Sequence, residues 1–164
     1  MTFETHHATL EDTDELLELW ERFTDHLSSF DDRYAPAPDA SDHWLSYFED
    51  QLLDSRYGTV VVAETPDDGI VGVIEVRVME NHPMFKLGKH GRIYGLHVRD
   101  DWQRQGVADA LLTEAGNWLT TDPRNASFYR MKTFEDDEET QAAYERLGLE
   151  PVERVYEGHV SNDD

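Results

Sequence analysis

Apolar residues in the first third of the chain recur every three or four positions, which is the period of a helix that buries one face. The first such stretch follows a short extended segment and begins beside Asp12, Thr13 and Asp14, residue types that cap helix N-termini well. A break rich in Pro and Asp, residues 31–41, separates it from a second stretch over residues 39–55. The predicted apolar stripes are Leu16, Leu17, Trp20, Phe23 and Leu27 in the first helix, and Trp44, Leu45, Phe48 and Leu52 in the second.

After residue 57 the pattern changes to short β-branched runs, which are typical of strands. Residues 58–64 and 70–79 flank the turn signal at residues 67–69, so they predict a hairpin. A loop, residues 80–91, leads to a third strand-like run, residues 92–98. The remaining predicted elements are a helix that starts near Gly106, a strand over residues 126–134, a helix over 136–148 and a strand over 150–160.

The predicted order of elements is β-α-α-β-β-β-α-β-α-β. A hairpin-rich first half followed by alternating helices and strands is typical of a mixed sheet with helices on both faces. The expected fold class is therefore α/β, with a mixed, mostly antiparallel sheet of six to seven strands and about four helices. The 164 residues suit a single domain, residues 1–164, and 38% of them are apolar, which is enough for a packed core.

The chain is strongly acidic, with 36 Asp and Glu residues against 14 Lys and Arg residues and a formal net charge of −22. This balance argues against nucleic-acid binding, because a phosphate backbone requires a basic surface. The acidic residues are spread along the whole chain and only three residues are Lys. This distribution favours a surface adapted to high salt over a patch that attracts one cationic partner.

If the charge is an adaptation to salt, the free energy of unfolding and any activity should both rise with salt concentration. Screening shortens the reach of self-repulsion from about 10 Å at 0.1 M to about 3 Å at 1 M. We expect the thermal unfolding midpoint to increase steadily as KCl is raised from dilute buffer to molar concentration. An equal midpoint in dilute buffer and at molar salt would contradict the adaptation.

Several kinds of site and location are not expected from this composition. The absence of Cys excludes disulfides, thiolate metal sites and Cys nucleophiles. The His, Asp and Glu residues show no convincing metal-ligand spacing, so no metal is expected. The N-terminal residues resemble no signal peptide, and no apolar run approaches the roughly 18 residues of a membrane span. The sequence therefore predicts a cytoplasmic protein with no membrane contact.

One segment has the features of an anion site. A predicted strand ends at Val98, a short polar turn follows, and residues 103–108 open a helix. The first turn of a helix leaves backbone N–H groups unpaired and carries positive potential. Gly106 and Ala108 leave room for a close approach to those groups, and Gln103 and Arg104 add side-chain donors. The alternative is an ordinary strand-to-helix turn, because short glycine patterns are common.

Residues 98–108 resemble motif A of the GNAT N-acetyltransferases, whose signature is Gln/Arg-x-x-Gly-x-Gly/Ala. Gln103, Gly106 and Ala108 match that signature. The later segment TQAAYERLGLEP, residues 140–151, is similar to the Ala-x-x-x-Tyr-x-x-x-Gly-Phe segment of the same family, with Tyr144, Gly148 and Leu149 in register. The order of elements along nearly the whole chain is also similar to the family's.

This resemblance implies a GNAT-like domain that uses acetyl-CoA as cosubstrate. In the family, the amides at the helix start hold the CoA pyrophosphate, and the preceding strand pairs with the pantetheine arm, which requires a free strand edge. Asp137 stands where the family often has Asn, and Thr140 where it usually has Ala, which puts details of CoA binding in doubt. The residues implied in CoA binding are Leu96, His97, Val98, Gln103, Arg104, Gln105, Gly106, Val107, Ala108, Asp137 and Tyr144.

The resemblance also implies catalytic roles. Tyr144 matches the family's general acid, although a Tyr packed against the sheet is the alternative. The family often has Glu or His on the strand before motif A, whereas this chain has Arg92 and Tyr94 there. Glu75, on the neighbouring predicted strand, is the best carboxylate candidate for the base, and a solvated surface residue is its alternative. A water chain near Tyr94 is a third possibility for the base.

Strand alternation predicts which side chains share a face. It places Arg92, Tyr94 and Leu96 on one face and His97 on the other, so His97 is expected to be packed rather than catalytic unless a bulge intervenes. The Trp20 and Trp44 stripes are expected to belong to the core. The break at residues 28–44 is where the family often builds its acceptor pocket.

The sequence thus supports an acetyl-CoA-dependent N-acetyltransferase that acts on a primary amine, either a small molecule or a peptide. Two alternatives stay open, namely a non-catalytic acyl-CoA-binding sensor and a generic phosphate-binding domain. A homodimer is a further possibility. The acceptor and the acyl chain are not specified by the sequence.

Overall fold

Five strands form one sheet in the order β1-β2-β3-β4-β5 in the computed structural model, which describes residues 2–161. The first four strands pair antiparallel, and β5 pairs parallel with β4. The strands are β1 Glu4–His7, β2 Gly58–Thr65, β3 Gly69–Met79, β4 His90–Val98 and β5 Tyr129–Met131, and the helices are α1 Thr13–Phe30, α2 Ala40–Tyr47, α3 Val107–Thr120 and α4 Glu138–Arg146.

The expected fold class is confirmed: a mixed, mostly antiparallel sheet carries four α-helices in the described residues. The helices divide between the two faces of the sheet, and each face has its own buried cluster. On one face α3 packs through Leu111, Ala115 and Leu119. On the other face α1 packs through Leu16 and Leu19, together with Phe48, which follows α2.

The predicted strand over residues 150–160 is wrong. Residues 151–161 form no helix or strand, and Val155 and Tyr156 are 83% and 85% exposed. The segment is attached to β5 and to the loop that follows it by ion pairs of Arg130 with Glu153 and of Arg154 with Glu135. Strand-like alternation forms a strand only where a neighbouring strand and a face to bury are available. The described sheet consequently has five strands rather than six to seven.

Two other predicted elements are shorter than expected. The strand predicted over residues 126–134 is limited to Tyr129–Met131, because its pairing with β4 ends at Ile93 and Met131. The second helix is α-helical only over Ala40–Tyr47 and continues as a wider π-helical turn over Phe48–Leu52. The wider turn buries Phe48 and Leu52 on the stripe predicted for this helix.

The position of α3 is fixed by close packing at one glycine. A side chain at Gly72 in β3 would place its Cβ 2.7 Å from Cγ1 of Val107, the first residue of α3. Such a distance is too short for real atoms, so the glycine allows the start of α3 to lie directly against the sheet. Among residues 2–161, none of the helices combines the length and apolarity required to cross a membrane.

Candidate functional site

The start of α3 is open and has no side-chain cap. Residues 103–106 are all exposed, and Gly106 occupies the N-cap position without a side-chain hydrogen bond to the helix amides. Gly106 has φ 84°, a conformation that favours glycine, and a Cβ built there would meet no atom within 4 Å. The first amides of α3 therefore face open space, as an anion site requires.

The backbone of the turn before α3 is strained. Arg104 has φ 62°, in the left-handed region that non-glycine residues rarely adopt. Such conformations persist only where the surroundings hold them, and they cluster at ligand sites. Buried anchors on both sides of the turn provide that support. They are Val107 and Trp102, whose indole N–H donates to Asp68 at 3.0 Å.

The strand that leads to this turn has a free edge. The pairing of β4 with β5 covers only Gly91 to Ile93, so the two parallel strands separate beyond that point. In the described residues, the edge of β4 from Tyr94 to Val98 has no partner strand on the β5 side. The splay that an added extended ligand would require is thus present next to the start of α3.

A β-bulge lies at Tyr94. The register pairs Glu75 with Gly95 but Val76 with Ile93, so Tyr94 is the extra residue of β4. A bulge moves every following side chain to the opposite face from the one that simple alternation predicts. For this reason the expected grouping of Tyr94 with Leu96 is wrong. Leu96 packs against the α3 core instead, whereas His97 joins Tyr94 at a pocket on the α1 face.

This pocket lies between α1, α2 and the sheet and has a cavity volume of about 180 Å³. Its walls include three aromatic side chains, Trp20, Phe23 and Trp44. The ring centroids of Trp20 and Trp44 are 6.1 Å apart. Both Trp side chains were expected to be core residues only, and instead they also line the pocket. Of residues 28–44, where the family often builds its acceptor pocket, only Trp44 lies in this lining, so that position stays a prediction.

Glu75 is the carboxylate in the lining of this pocket. Burial raises the pKa of Glu75, and hydrogen bonding to Tyr47 and the charge of Arg77 oppose that rise. The Tyr47 hydroxyl donates to Oε2 of Glu75 at 2.9 Å and accepts from Nη1 of Arg77 at 3.3 Å. Burial, together with the charge of Glu75, raises the pKa of Tyr47 to about 12, so this phenol stays a donor. Tyr47 is not among the residues predicted from the sequence, although it lies three residues after Trp44 and hence on the same side of the helix.

His97 is the second titratable group on this side of β4. Burial lowers the pKa of His97, so its imidazole is neutral at pH 7. Its ring packs edge-on against Phe23, with centroids 6.4 Å apart. The residue is aligned with Val73, two positions from Glu75 on the adjacent strand. A neutral imidazole and a carboxylate are therefore diagonal neighbours on one sheet surface.

Tyr144 lies on α4, outside the lining of this pocket. Burial and the nearby charge of Asp137 raise the pKa of Tyr144 to about 12, so its hydroxyl keeps its proton at neutral pH. α4 follows β5 in the chain, whereas the pocket borders β4. The phenol thus meets one requirement of a general acid.

Asp137 has a structural role at the start of α4. Its carboxylate accepts from the Thr140 N–H at 3.1 Å and from Nε2 of His26 at 2.8 Å, and the residue is only 3% exposed. Burial alone would raise the pKa of Asp137, but these hydrogen bonds lower it below its usual value. The hydrogen bond between His26 and Asp137 links α1 to the start of α4. Both carboxylate oxygens of Asp137 are already hydrogen-bonded, so this residue offers no free group to a ligand at the position where the family often has Asn.

Three potential metal ligands come together elsewhere. His6, Asp12 and Glu64 each offer a ligand atom within 4.8 Å of the others. His6 donates to Glu64 at 2.8 Å, and Asp12 accepts from the Thr9 N–H at 2.9 Å. Each of the three side chains thus already has a partner in the protein. His6 lies on β1, Glu64 on β2 and Asp12 at the N-cap of α1, and none of the three lies in the pocket lining.

The model of the acetyltransferase (GNAT) family matches residues 14–149. No curated protein sequence matches the chain significantly.

Three similar structures cover nearly the whole chain. The aminoglycoside 6'-N-acetyltransferase AAC(6')-Ih from Acinetobacter baumannii is 16% identical, with a TM-score of 0.76 over 99% of this chain and 100% of that one. AAC(6')-Iy in complex with the bisubstrate analogue CoA-S-monomethyl-acetylneamine is 16% identical, with a TM-score of 0.77 over 98% and 99%. A tetramutant of the BH1408 protein from Bacillus halodurans is 12% identical, with a TM-score of 0.79 over 96% and 99%. At these identities the likeness concerns the fold.

Proposed function

The chain belongs to the acetyltransferase (GNAT) family, and from that premise we propose that it transfers the acetyl group of acetyl-CoA to a primary amine by direct attack. The observation that carries the proposal is the bulge at Tyr94. There the free edge of β4, which leads to the open start of α3, lies next to the pocket that holds Glu75. A thioester laid along the edge and an amine in the pocket would meet at this point.

The CoA cosubstrate is proposed to bind across the splay. The pyrophosphate would accept hydrogen bonds from the amides of Gly106, Val107 and Ala108, with side-chain donors from Gln103, Arg104 or Gln105. The pantetheine arm would pair with the backbone of residues 96–98 as an added strand. Support comes from the uncapped helix start, the left-handed Arg104 and the unpaired edge of β4. The Asp137 carboxylate is engaged by His26 and Thr140, so it is the weakest member of the proposed contact set.

The proposed reaction uses groups on both sides of the splay. The acceptor's ammonium group gives one proton to Glu75, which passes it to solvent, and the neutral nitrogen forms a bond to the thioester carbon. The Val98 N–H stabilises the oxygen that becomes negative. The nitrogen then gives its second proton to Glu75, the C–S bond breaks, and the thiolate takes a proton from Tyr144, which regains one from solvent.

Glu75 is proposed as the base, ahead of His97 and of water near Tyr94. Its carboxylate is held by the Tyr47 hydroxyl at 2.9 Å inside the pocket, and burial raises its pKa towards the range where a base is most effective. His97 is neutral and packs on Phe23, so it is positioned to contact the acceptor and to serve as the alternative base. Tyr94, at the bulge and 48% exposed, is proposed to contact the reacting groups rather than to titrate.

An assay of thiol release tests this function. CoA release from acetyl-CoA that depends on added amine, with the N-acetyl product identified by mass spectrometry, is the expected result. The alternative, a non-catalytic acyl-CoA sensor, is favoured by the presence of Arg92 and Tyr94 where the family often has Glu or His. CoA binding without amine-dependent turnover across a broad panel of amines would contradict the enzyme and support the sensor.

A homodimer is also proposed. The segment of residues 150–161 carries exposed Val152, Val155, Tyr156 and Val160, which a second copy could cover. Light scattering at micromolar concentration should then report twice the chain mass. A monomer mass up to high concentration would contradict the dimer.

A further inference from the structure

The pocket beside the bulge differs in character from the surface of the protein. Trp20, Phe23 and Trp44 form its walls, while Leu16, Val60 and Val73 contribute aliphatic surface. The chain carries 36 acidic residues, yet among the lining residues that the structure describes the only carboxylate is Glu75. The acidic surface therefore does not continue into the pocket.

One buried carboxylate in an aromatic pocket matches one ammonium group. The carboxylate of Glu75 provides charge complementarity, and the faces of aromatic rings attract a cation or stack on an aromatic body. A second ammonium group on the same ligand would have to leave water for an apolar wall without a partner, which is costly. The acidic residues of the preceding break do not supply this partner, because Asp31, Asp32 and Asp39 are all outside the pocket lining, and Asp31 is paired with Arg33 at 2.7 Å.

We infer that the acceptor is a small monoamine with an apolar, preferably aromatic, body, which packs between Trp20, Phe23 and Trp44 and directs its single amino group to Glu75. This inference rests on the proposed function, and it names the acceptor class of that site. Polyamines and polycationic aminosugars are excluded as preferred acceptors. The cavity volume of about 180 Å³ lies below the range of typical drug-sized ligand sites and therefore limits the acceptor to a small molecule.

The test compares phenethylamine with spermidine and with an aminoglycoside, each with saturating acetyl-CoA. We expect kcat/KM for phenethylamine to exceed the other two values by about tenfold or more, a difference typical of a matched apolar pocket. The Trp44→Leu variant should lose about tenfold in kcat/KM for phenethylamine and keep its Kd for CoA, whereas Trp44→Phe should keep most of the activity. The matched control is Trp118→Leu, because Trp118 lies on α3 and stacks with Arg124. That variant should behave as the unmodified protein.

A second readout separates this inference from the proposed function. Phenethylamine should quench the fluorescence of Trp20 and Trp44 at saturating concentration, and spermidine should not, whether or not turnover occurs. Binding of phenethylamine without acetylation would contradict the proposed reaction and leave the acceptor class intact. A higher kcat/KM for spermidine or the aminoglycoside, or equal quenching by all three amines, would overturn the inference.

Discussion

Replacement of Tyr144 by Phe is expected to lower kcat by about 100-fold or more and to leave the Kd for CoA within about twofold, the range for loss of a positioned general acid. The substitution removes one oxygen from a half-buried ring, so packing on α4 is retained. Burial raises the pKa of Tyr144 to about 12, and the phenol therefore holds its proton throughout the ordinary working range. For the same reason, this group should cause no alkaline fall in kcat between about pH 7 and pH 10.

Steady-state kinetics and calorimetric titration with CoA measure these two quantities. Tyr57→Phe is the matched control, because Tyr57 is 51% exposed and precedes β2, and its kinetics should be unchanged. An unchanged kcat for Tyr144→Phe would remove the general acid from the mechanism. A loss of CoA affinity with unchanged kcat would instead make Tyr144 a binding residue.

The second large effect is expected for Glu75→Gln, with a loss of about 100-fold in kcat. The ionised carboxylate is the active form of the base, so activity should be lost as pH falls through the raised pKa of Glu75. The Gln variant should not show this acidic limb. His97→Gln should have a smaller effect on kcat, because His97 is proposed to contact the acceptor. An acidic limb that persists in Glu75→Gln and disappears in His97→Gln would identify His97 as the base.

A measurement of stability distinguishes the loss of the base in the Glu75→Gln variant from unfolding of that variant. The folded-state pKa of Glu75 is raised, so the protonated carboxyl is favoured by the fold and its contribution to stability is lost as pH rises through that value. The ionised form of Glu75 consequently opposes folding, and a neutral amide of the same shape removes this effect. The amide oxygen can still accept from the Tyr47 hydroxyl. Glu75→Gln should therefore be at least as stable as the unmodified protein at pH 7.

The open helix start could be predicted from sequence because its causes are local. Gly106 and the lack of a capping side chain act within one turn of the helix, and the structure has both features at the predicted position. The period of the apolar residues likewise predicted α1 and the β2–β3 hairpin. Each of these elements is specified by residues that are neighbours in sequence.

The pocket could not be predicted in the same way, because it depends on one extra residue in β4. The bulge at Tyr94 is a property of the pairing between β3 and β4, and the sequence of residues 92–98 does not indicate it. A single bulge exchanges the faces of the sheet on which the side chains of His97 and Leu96 lie. The roles of Trp20 and Trp44 follow from the same long-range geometry, since helical spacing alone does not separate a pocket wall from a core residue. The strand predicted at residues 150–160 is wrong for a similar reason. A strand requires a neighbouring strand to pair with, and the local sequence pattern does not show whether one is available.

The most direct test of the central claim is a crystal structure of the protein in complex with acetyl-CoA. The expected result is a pyrophosphate whose oxygens lie within about 3 Å of the backbone nitrogens of Gly106, Val107 or Ala108. In the same complex the pantetheine should run along the free edge of β4 towards the bulge at Tyr94. A nucleotide bound away from the start of α3, or a thioester that does not reach the Glu75 pocket, would contradict the proposed transfer.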